Sequence, residues 1–319
     1  MTTVSSIGSR VGLRVLQTVV VAVFVTVIAA VLVRLAPGDA ATTLLGDRAT
    51  PEGVARLQAQ LGLDRSVFAQ VAETLGNVAR GDLGTSLTRP DQPVSRIVLD
   101  ALPVTLSVIA AALLVAVVVG VPLGLIAGTT RRPAVDRGIS LAAIGLLALP
   151  SFFLAIIAIL VLALTLGIAP AGGWGGGWPE NLKYLWLPAL SLAVLRLPQV
   201  VRVVREAARE ASSHEYVEAA VARGLSPRRV TARHVLPNCL LPMLALVGFD
   251  AAVLLSGAVV VESIFGLPGF GRELVTAVGT RDYPTIQGIA LTAALFVVFV
   301  NLVVDALYAL ADPRVRTAR

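Results

Sequence analysis

The chain has 319 residues, 56% hydrophobic and 14% charged, where a soluble globular chain carries about 45–50% apolar and about 25% charged residues. Its apolar residues lie in charge-free runs of about 20, the length that crosses a bilayer, which excludes a pair of soluble domains and describes a polytopic membrane protein. The net charge of +6 is scattered between those runs instead of forming one basic face, and the single cysteine, Cys239, excludes an intrachain disulfide or a cysteine-built metal cluster.

Six spans are predicted in chain order. The first covers 15–33 between Arg14 and Arg34, and it is too long and lacks the small-residue site of a cleavable signal peptide. A long loop follows, patterned for helices. Thr50-Pro51-Glu52 reads as an N-cap, a first-turn proline and a first-turn acid. Val54, Leu57 and Leu61 then share a face and Gly62 stops the helix. Val67, Phe68, Val71, Leu75 and Val78 line a second helix ending at Gly81. The second span fits 103–128 and the third 138–166, with the Gly/Pro/Trp segment 170–179 as its interfacial end. The fourth, 184–201, contains Arg196, which is expected to snorkel toward one end. The fifth, 238–261, and the sixth, 285–310, each carry one acid, Asp250 and Asp305.

The expected division is therefore a tail (1–14), a first transmembrane helix (15–34), a helical cap loop (35–101) and a core of five spans (102–319). Arginine asymmetry of the short loops sets the orientation. Arg10 and Arg14, Arg131, Arg132 and Arg137, the run of arginines from Arg202 to Arg233, and Arg314, Arg316 and Arg319 fall on one side. The short loops of the other side hold only Lys183, Arg272 and Arg281. Both termini are expected in the cytoplasm and the 1–2 loop outside.

No catalytic constellation is legible. Lys183 is the only lysine, so there is no glycine-rich loop ending in Gly-Lys-Ser/Thr to cradle a nucleotide, and neither His214 nor His234 belongs to a His-Glu-x-x-His pair. The glycine-rich run 172–178 follows no strand and reads as a flexible turn with interfacial tryptophans.

The 4–5 loop, about 202–237, is the informative segment. Ser212 to Glu215 has the spacing of a capping box that opens a helix running to Arg223. Gly224 suits the left-handed position after it, and Ser226-Pro227 restarts a second helix. Val217, Ala220 and Val221 give the first helix an apolar ridge narrow enough for a partner's groove.

Glu218-Ala219-Ala220, Gly224 and His234-Val235-Leu236-Pro237, at this spacing, resemble the signature loop of ABC-importer permease subunits. His234 stands where the general pattern prefers isoleucine, whereas an Arg-His pair such as Arg233-His234 is familiar in the peptide branch. The resemblance to the dipeptide, oligopeptide and nickel permease family continues along nearly the whole chain. It includes Leu35-Ala36-Pro37-Gly38-Asp39, Leu61-Gly62-Leu63-Asp64, Gly81-Asp82-Leu83-Gly84-Thr85-Ser86 and Pro150-Ser151-Phe152. It ends with Val261-Glu262-Ser263-Ile264-Phe265, Pro268-Gly269-Phe270-Gly271, Arg281-Asp282-Tyr283-Pro284 and Asp312-Pro313-Arg314. The extended segment after span one matches the "B"-type subunit.

The resemblance implies an all-α type I importer permease fold of six transmembrane helices in a bacterial plasma membrane. The coupling helix, carried by Tyr216, Val217, Glu218, Ala219, Ala220, Gly224 and Leu225, would dock on an ATPase subunit. The chain itself would be non-catalytic and hold no cofactor or metal, since ATP and magnesium belong to the ATPases. Implied partners are a second homologous permease, two ATPase subunits (or one fused ATPase) and an external substrate-binding protein. Among polar residues of the spans, Asp250 reads either as a pathway-lining acid that meets a peptide amino terminus or as a packing or partner-permease contact. Asn301 and Asp305, one turn apart, form a second polar face. Glu262 and Ser263 are docking or gate residues, or mere terminators of span five. The expected cargo is short peptides, with nickel chelates or haem as alternatives in the same role. A different class, an ion-driven carrier, would use Asp250 and Asp305 as proton sites.

Overall fold

The structure, a computed structural model, describes residues 16–31, 50–60 and 65–311. The stop expected at Gly62, the motif segments 35–39, 61–64 and 312–314, and the arginines of both tails lie outside them. The described elements are helical, with one isolated bridge between Thr85 and Pro93. In chain order they are α1 (Leu16–Val31), α2 (Pro51–Gln60), α3 (Val67–Ala79), α4 (Val94–Thr129), α5 (Pro133–Leu147) and α6 (Ser151–Ala158, continued in π geometry over Ile159–Thr165). There follow α7 (Asn181–Ala193), α8 (Leu197–Ser212), α9 (Glu215–Ala222), α10 (Pro227–Val230, then a π turn Thr231–Val235), α11 (Leu236–Phe265), α12 (Phe270–Gly279) and α13 (Tyr283–Ala311).

Among the described residues, two helices, α4 and α13, are long and apolar enough to cross a membrane unaided. Three further candidate spans are broken pairs: α5 with α6, bent by 94°, α7 with α8, bent by 60°, and the second half of α11 with α12, bent by 75°. The apolar helix α1 is additional to these five. The third and fourth spans are thus not the single straight helices expected from hydropathy. Pro150 precedes α6 as its N-cap, and a proline there removes a donor and pushes Leu149 out of helical geometry. At the second break Arg196 caps α8 and Pro198 lies in its first turn. The third break follows Gly266, which takes the left-handed conformation at φ 64°.

The chain forms two compact units, one of Met1–Pro103 with Arg272–Phe299 and the other of Val104–Gly271 with Val300–Arg319. In the first, Thr50 and Ser66 cap α2 and α3 by accepting from the amides of Gly53 and Ala69. Val71 faces inward on α3, but Phe68, expected on the same face, is 88% exposed.

In the second unit α11 packs on α6, α7 and α8, and α5 on α8. Small residues at every fourth position of α4, namely Ala112, Ala116, Gly120, Gly124 and Gly128, permit backbone contact with a neighbouring helix. A Cβ at Gly120 would stand 2.7 Å from Val200, and one at Gly124 2.7 Å from Val204 and 2.8 Å from the Val201 carbonyl oxygen. At Gly128 it would meet the Arg205 carbonyl oxygen at 2.6 Å. Helix α8 therefore lies in a groove that only glycine leaves open. The glycine-rich run before α7 is also packed, contrary to the flexible turn expected. Gly173 donates its amide to Phe265, a Cβ on Gly172 would overlap the Phe265 carbonyl, and Trp174 meets Trp178 edge-on.

Candidate functional site

The 4–5 loop forms the helix, elbow and second helix that its spacing predicts, with two corrections. Helix α8 continues through Ser212, whose hydroxyl donates to the Ala208 carbonyl, so Ser212 closes one helix instead of opening the next. His214 is the N-cap of α9, without a side-chain bond, and Glu215 and Glu218 place two acids in its first turn. Gly224 has φ +81°, as its position requires, and Ser226-Pro227 start α10.

The second correction concerns the ridge. Val217 and Ala220 are buried against Val230 of α10, with half-buried Leu225 beside them, so α9 and α10 clasp each other. What α9 offers outward is a different face, made of Tyr216, Glu218, Ala219 and Val221. Tyr216 is fixed there. Its ring stands 5.5 Å from His214 and 6.3 Å from His234, and its oxygen accepts from the Asn238 amide at 2.9 Å. The surface is thus an aromatic and acidic patch on a helix whose inner side is pinned.

Below it, Asp136 of α5 receives Arg205 through both Nε and a terminal nitrogen, and Arg209 at 3.0 Å, both from α8. The Arg205 hydrogen bond outweighs desolvation and holds the Asp136 carboxyl at about 2, below its usual 3.8. Its stabilising contribution is complete above the ordinary carboxylate range and fades as pH falls through about 2. Nothing in the local sequence of Asp136 marked it, because its partners lie 69 and 73 residues on.

The polar residues of the spans have diverse surroundings. Asp250, on α11, and Arg196, at the α7–α8 bend, are both buried and stand 3.2 Å apart. Arg196 also donates to Gln199, so it is held at the break and does not snorkel as expected. Glu262 is fully buried and accepts from the Gly271 amide at 2.6 Å, and a Cβ on Gly269 would run into its carboxylate. It anchors the Pro268–Gly271 turn between α11 and α12. Ser263 is exposed and donates to the Val259 carbonyl. Asn301 is half-buried and Asp305 exposed on α13.

In the first unit, two recognised motifs meet at Asp282. Its buried carboxylate accepts from the hydroxyls of Ser86, Thr88 and Thr285 and from the amides of Leu87 and Thr285. Burial would raise its pKa, but these bonds prevail and hold it below the usual range. Arg89 and Glu273 form an ion pair in the same unit.

Comparison with known proteins agrees with this architecture. Residues 120–317 match the family "Binding-protein-dependent transport system inner membrane component", and residues 11–109 match its membrane-component N-terminal family. A putative peptide transport system permease protein of Brucella abortus is 38% identical over 310 residues, covering 95% of this chain and 97% of the relative. The di/tripeptide transport system permease protein DppB of Pseudomonas aeruginosa is 35% identical, with 92% and 95% covered. The oligopeptide transport system permease protein AppB of Bacillus subtilis is 32% identical, with 95% and 97% covered. Among solved structures, an inward-facing MetNI methionine ABC transporter chain superposes with a TM-score of 0.57 at 17% identity. It covers 68% of this chain and 96% of that one, a likeness of fold. The chain is an ABC-importer permease subunit, a multi-pass inner-membrane component of a binding-protein-dependent transport system.

Proposed function

We propose that this permease forms the pathway for short peptides in an ATP-driven importer, together with a second homologous permease, two ATPase subunits and an external binding protein. The observation that carries the cargo is that relatives matching over more than nine-tenths of this chain are named for peptide, di/tripeptide and oligopeptide transport. The coupling role rests on α9. Its outer face is free for an ATPase while its inner face is clasped by α10, so a push on Tyr216, Glu218 or Val221 moves the pair as one lever. Gly224 is the elbow of that lever. Closing the ATPases on ATP would then rock the bundle between inward-open and outward-open states. In the orientation that the arginine bias supports, both termini and this loop are cytoplasmic and the 1–2 cap is outside.

Two measurements test the proposal. A cysteine at Ala59 should react with an impermeant maleimide on intact cells and one at Ser226 should not, in a chain whose native Cys239 has been replaced. The reverse labelling overturns the orientation. Gly224→Val forces a residue with a Cβ into a left-handed conformation, at a cost of roughly 1–2 kcal/mol, too little to unfold the bundle but enough to re-aim α10. Together with Glu218→Lys, it should leave membrane abundance intact and lower peptide import and substrate-stimulated ATP hydrolysis at least several-fold. Ordinary import by both variants would remove the loop from the mechanism.

A further inference from the structure

Outside the coupling loop and the buried ion pair, the first unit holds a cavity of about 210 Å³ whose chemistry no known role absorbs. Its walls include Glu73 and Asn77 of α3, Asp82 in the turn after it, Tyr283 and Gln287 at the start of α13, and Arg65. At about 30 Å³ per water it has room for about seven waters, or one to two amino-acid residues. The lining is specific in kind. Asn77 and Gln287 carry side-chain amides, which donate and accept as a peptide bond does. The lining carries two carboxylates, Glu73 and Asp82, and one cation, Arg65, which pairs with Glu73 at 2.7 Å, while Asp82 accepts from the Gly84 amide. The wall is therefore net acidic. Tyr283 adds a hydroxyl that is buried and has no hydrogen-bond partner among the described residues. A buried donor left so is costly, and a ligand carbonyl would relieve it. Leu83 and Leu291 supply apolar surface for a small side chain.

We propose that this cavity is a subsite for the amino-terminal end of a short peptide, with its ammonium toward the acids and its first carbonyl accepting from Tyr283. The inference rests on the peptide-import reading above and adds a place where the permease itself, and not only the binding protein, touches cargo. In the orientation proposed for the chain, the residues that line this subsite belong to its outer side.

The test uses the assembled transporter in nanodiscs without its binding protein, with tri-alanine and N-acetyl-tri-alanine as probes. Wild type should bind tri-alanine saturably and more tightly than the acetylated form. Tyr283→Phe removes only the unpartnered hydroxyl, so it should keep the melting temperature while weakening tri-alanine binding about fivefold. Gln287→Leu, which replaces an amide by an apolar group of similar size, should weaken it as well. Equal binding by wild type and both variants, equal binding of the two probes, or no saturable binding overturns the subsite. A parallel import assay with the binding protein present separates the two levels. Import of tri-alanine in any of those cases leaves the importer reading standing, and failure to import any peptide removes both.

Discussion

Gly124→Leu should abolish the folded permease. A first side-chain carbon at this position already lies 2.7 Å from the Val204 Cβ and 2.8 Å from the Val201 carbonyl oxygen. The second of these is backbone, which has no rotamer by which to withdraw. Helices α4 and α8 would have to separate, and the contacts at Gly120 and Gly128 would be lost with the one at Gly124. Overpacking a single well-packed site costs typically 1–3 kcal/mol, and here the strain extends along three turns of a helix that also carries Arg205 and Arg209. The expected observation is loss of the monodisperse species in detergent and a sharp fall in membrane abundance. Gly138→Leu is the control, because a Cβ at Gly138 meets nothing within 4 Å. Wild-type yield and melting temperature for Gly124→Leu would show that α4 and α8 are not held by this groove.

The second large effect is expected at the buried ion pair. Removing one partner from a buried pair strands a charge in a medium that solvates it poorly, a loss of about 3–5 kcal/mol. Asp250→Leu leaves the Arg196 cation in the bend between α7 and α8, and Arg196→Met leaves the carboxylate on α11. Either change should lower the melting temperature strongly. The double variant Arg196→Met with Asp250→Leu removes both charges and should recover most of the loss, since a well-packed apolar replacement of a buried pair is often neutral. Additive losses in the double variant would show that the two residues do not stabilise one another. Transport by Asp250→Asn carries separate information. Equal slowing of free-amine and N-acetylated peptides fits a carboxylate whose partner is Arg196, whereas a selective loss for free-amine peptides places it on the pathway.

The positions of the spans were legible because hydropathy measures how long a segment stays apolar. Their breaks were not, because the same measure carries no direction. Pro150 and Pro198 were visible in the sequence, yet a proline in an apolar run signals a bend without its angle. Arg196 inside a span looked like a residue reaching for the interface, since its partner Asp250 is 54 positions away and no local pattern links them. The elbow at Gly224 was readable because left-handed geometry favours glycine. The face of α9 was misread for an instructive reason. An apolar ridge on a short helix has the same spacing whether it seats in another protein or in the next helix of its own chain, and α10 fills that place. Ser212 was misassigned because Ser-x-x-Glu is satisfied equally by a serine that ends one helix and a glutamate that starts another. Asp136 went unmarked, and Asp282 was visible only as one residue of a motif without its role, because both bind partners far along the chain.

The cluster at Asp282 has a consequence for how the protein is made. Its carboxylate holds Ser86, Leu87 and Thr88, which leave the ribosome 194 to 196 residues before it does. At synthesis rates of about 5–20 residues per second, those residues wait roughly 10 to 40 seconds for the acceptor that ties them down. Throughout that interval the segment is nascent and not yet fastened, while most of the bundle is still being inserted. A chain that stops before residue 282 would carry the intact 4–5 loop and an unfastened 86–88 segment, so a protease that reaches this segment could tell an aborted permease from a finished one. Quality control of this subunit would then be a matter of timing at one carboxylate.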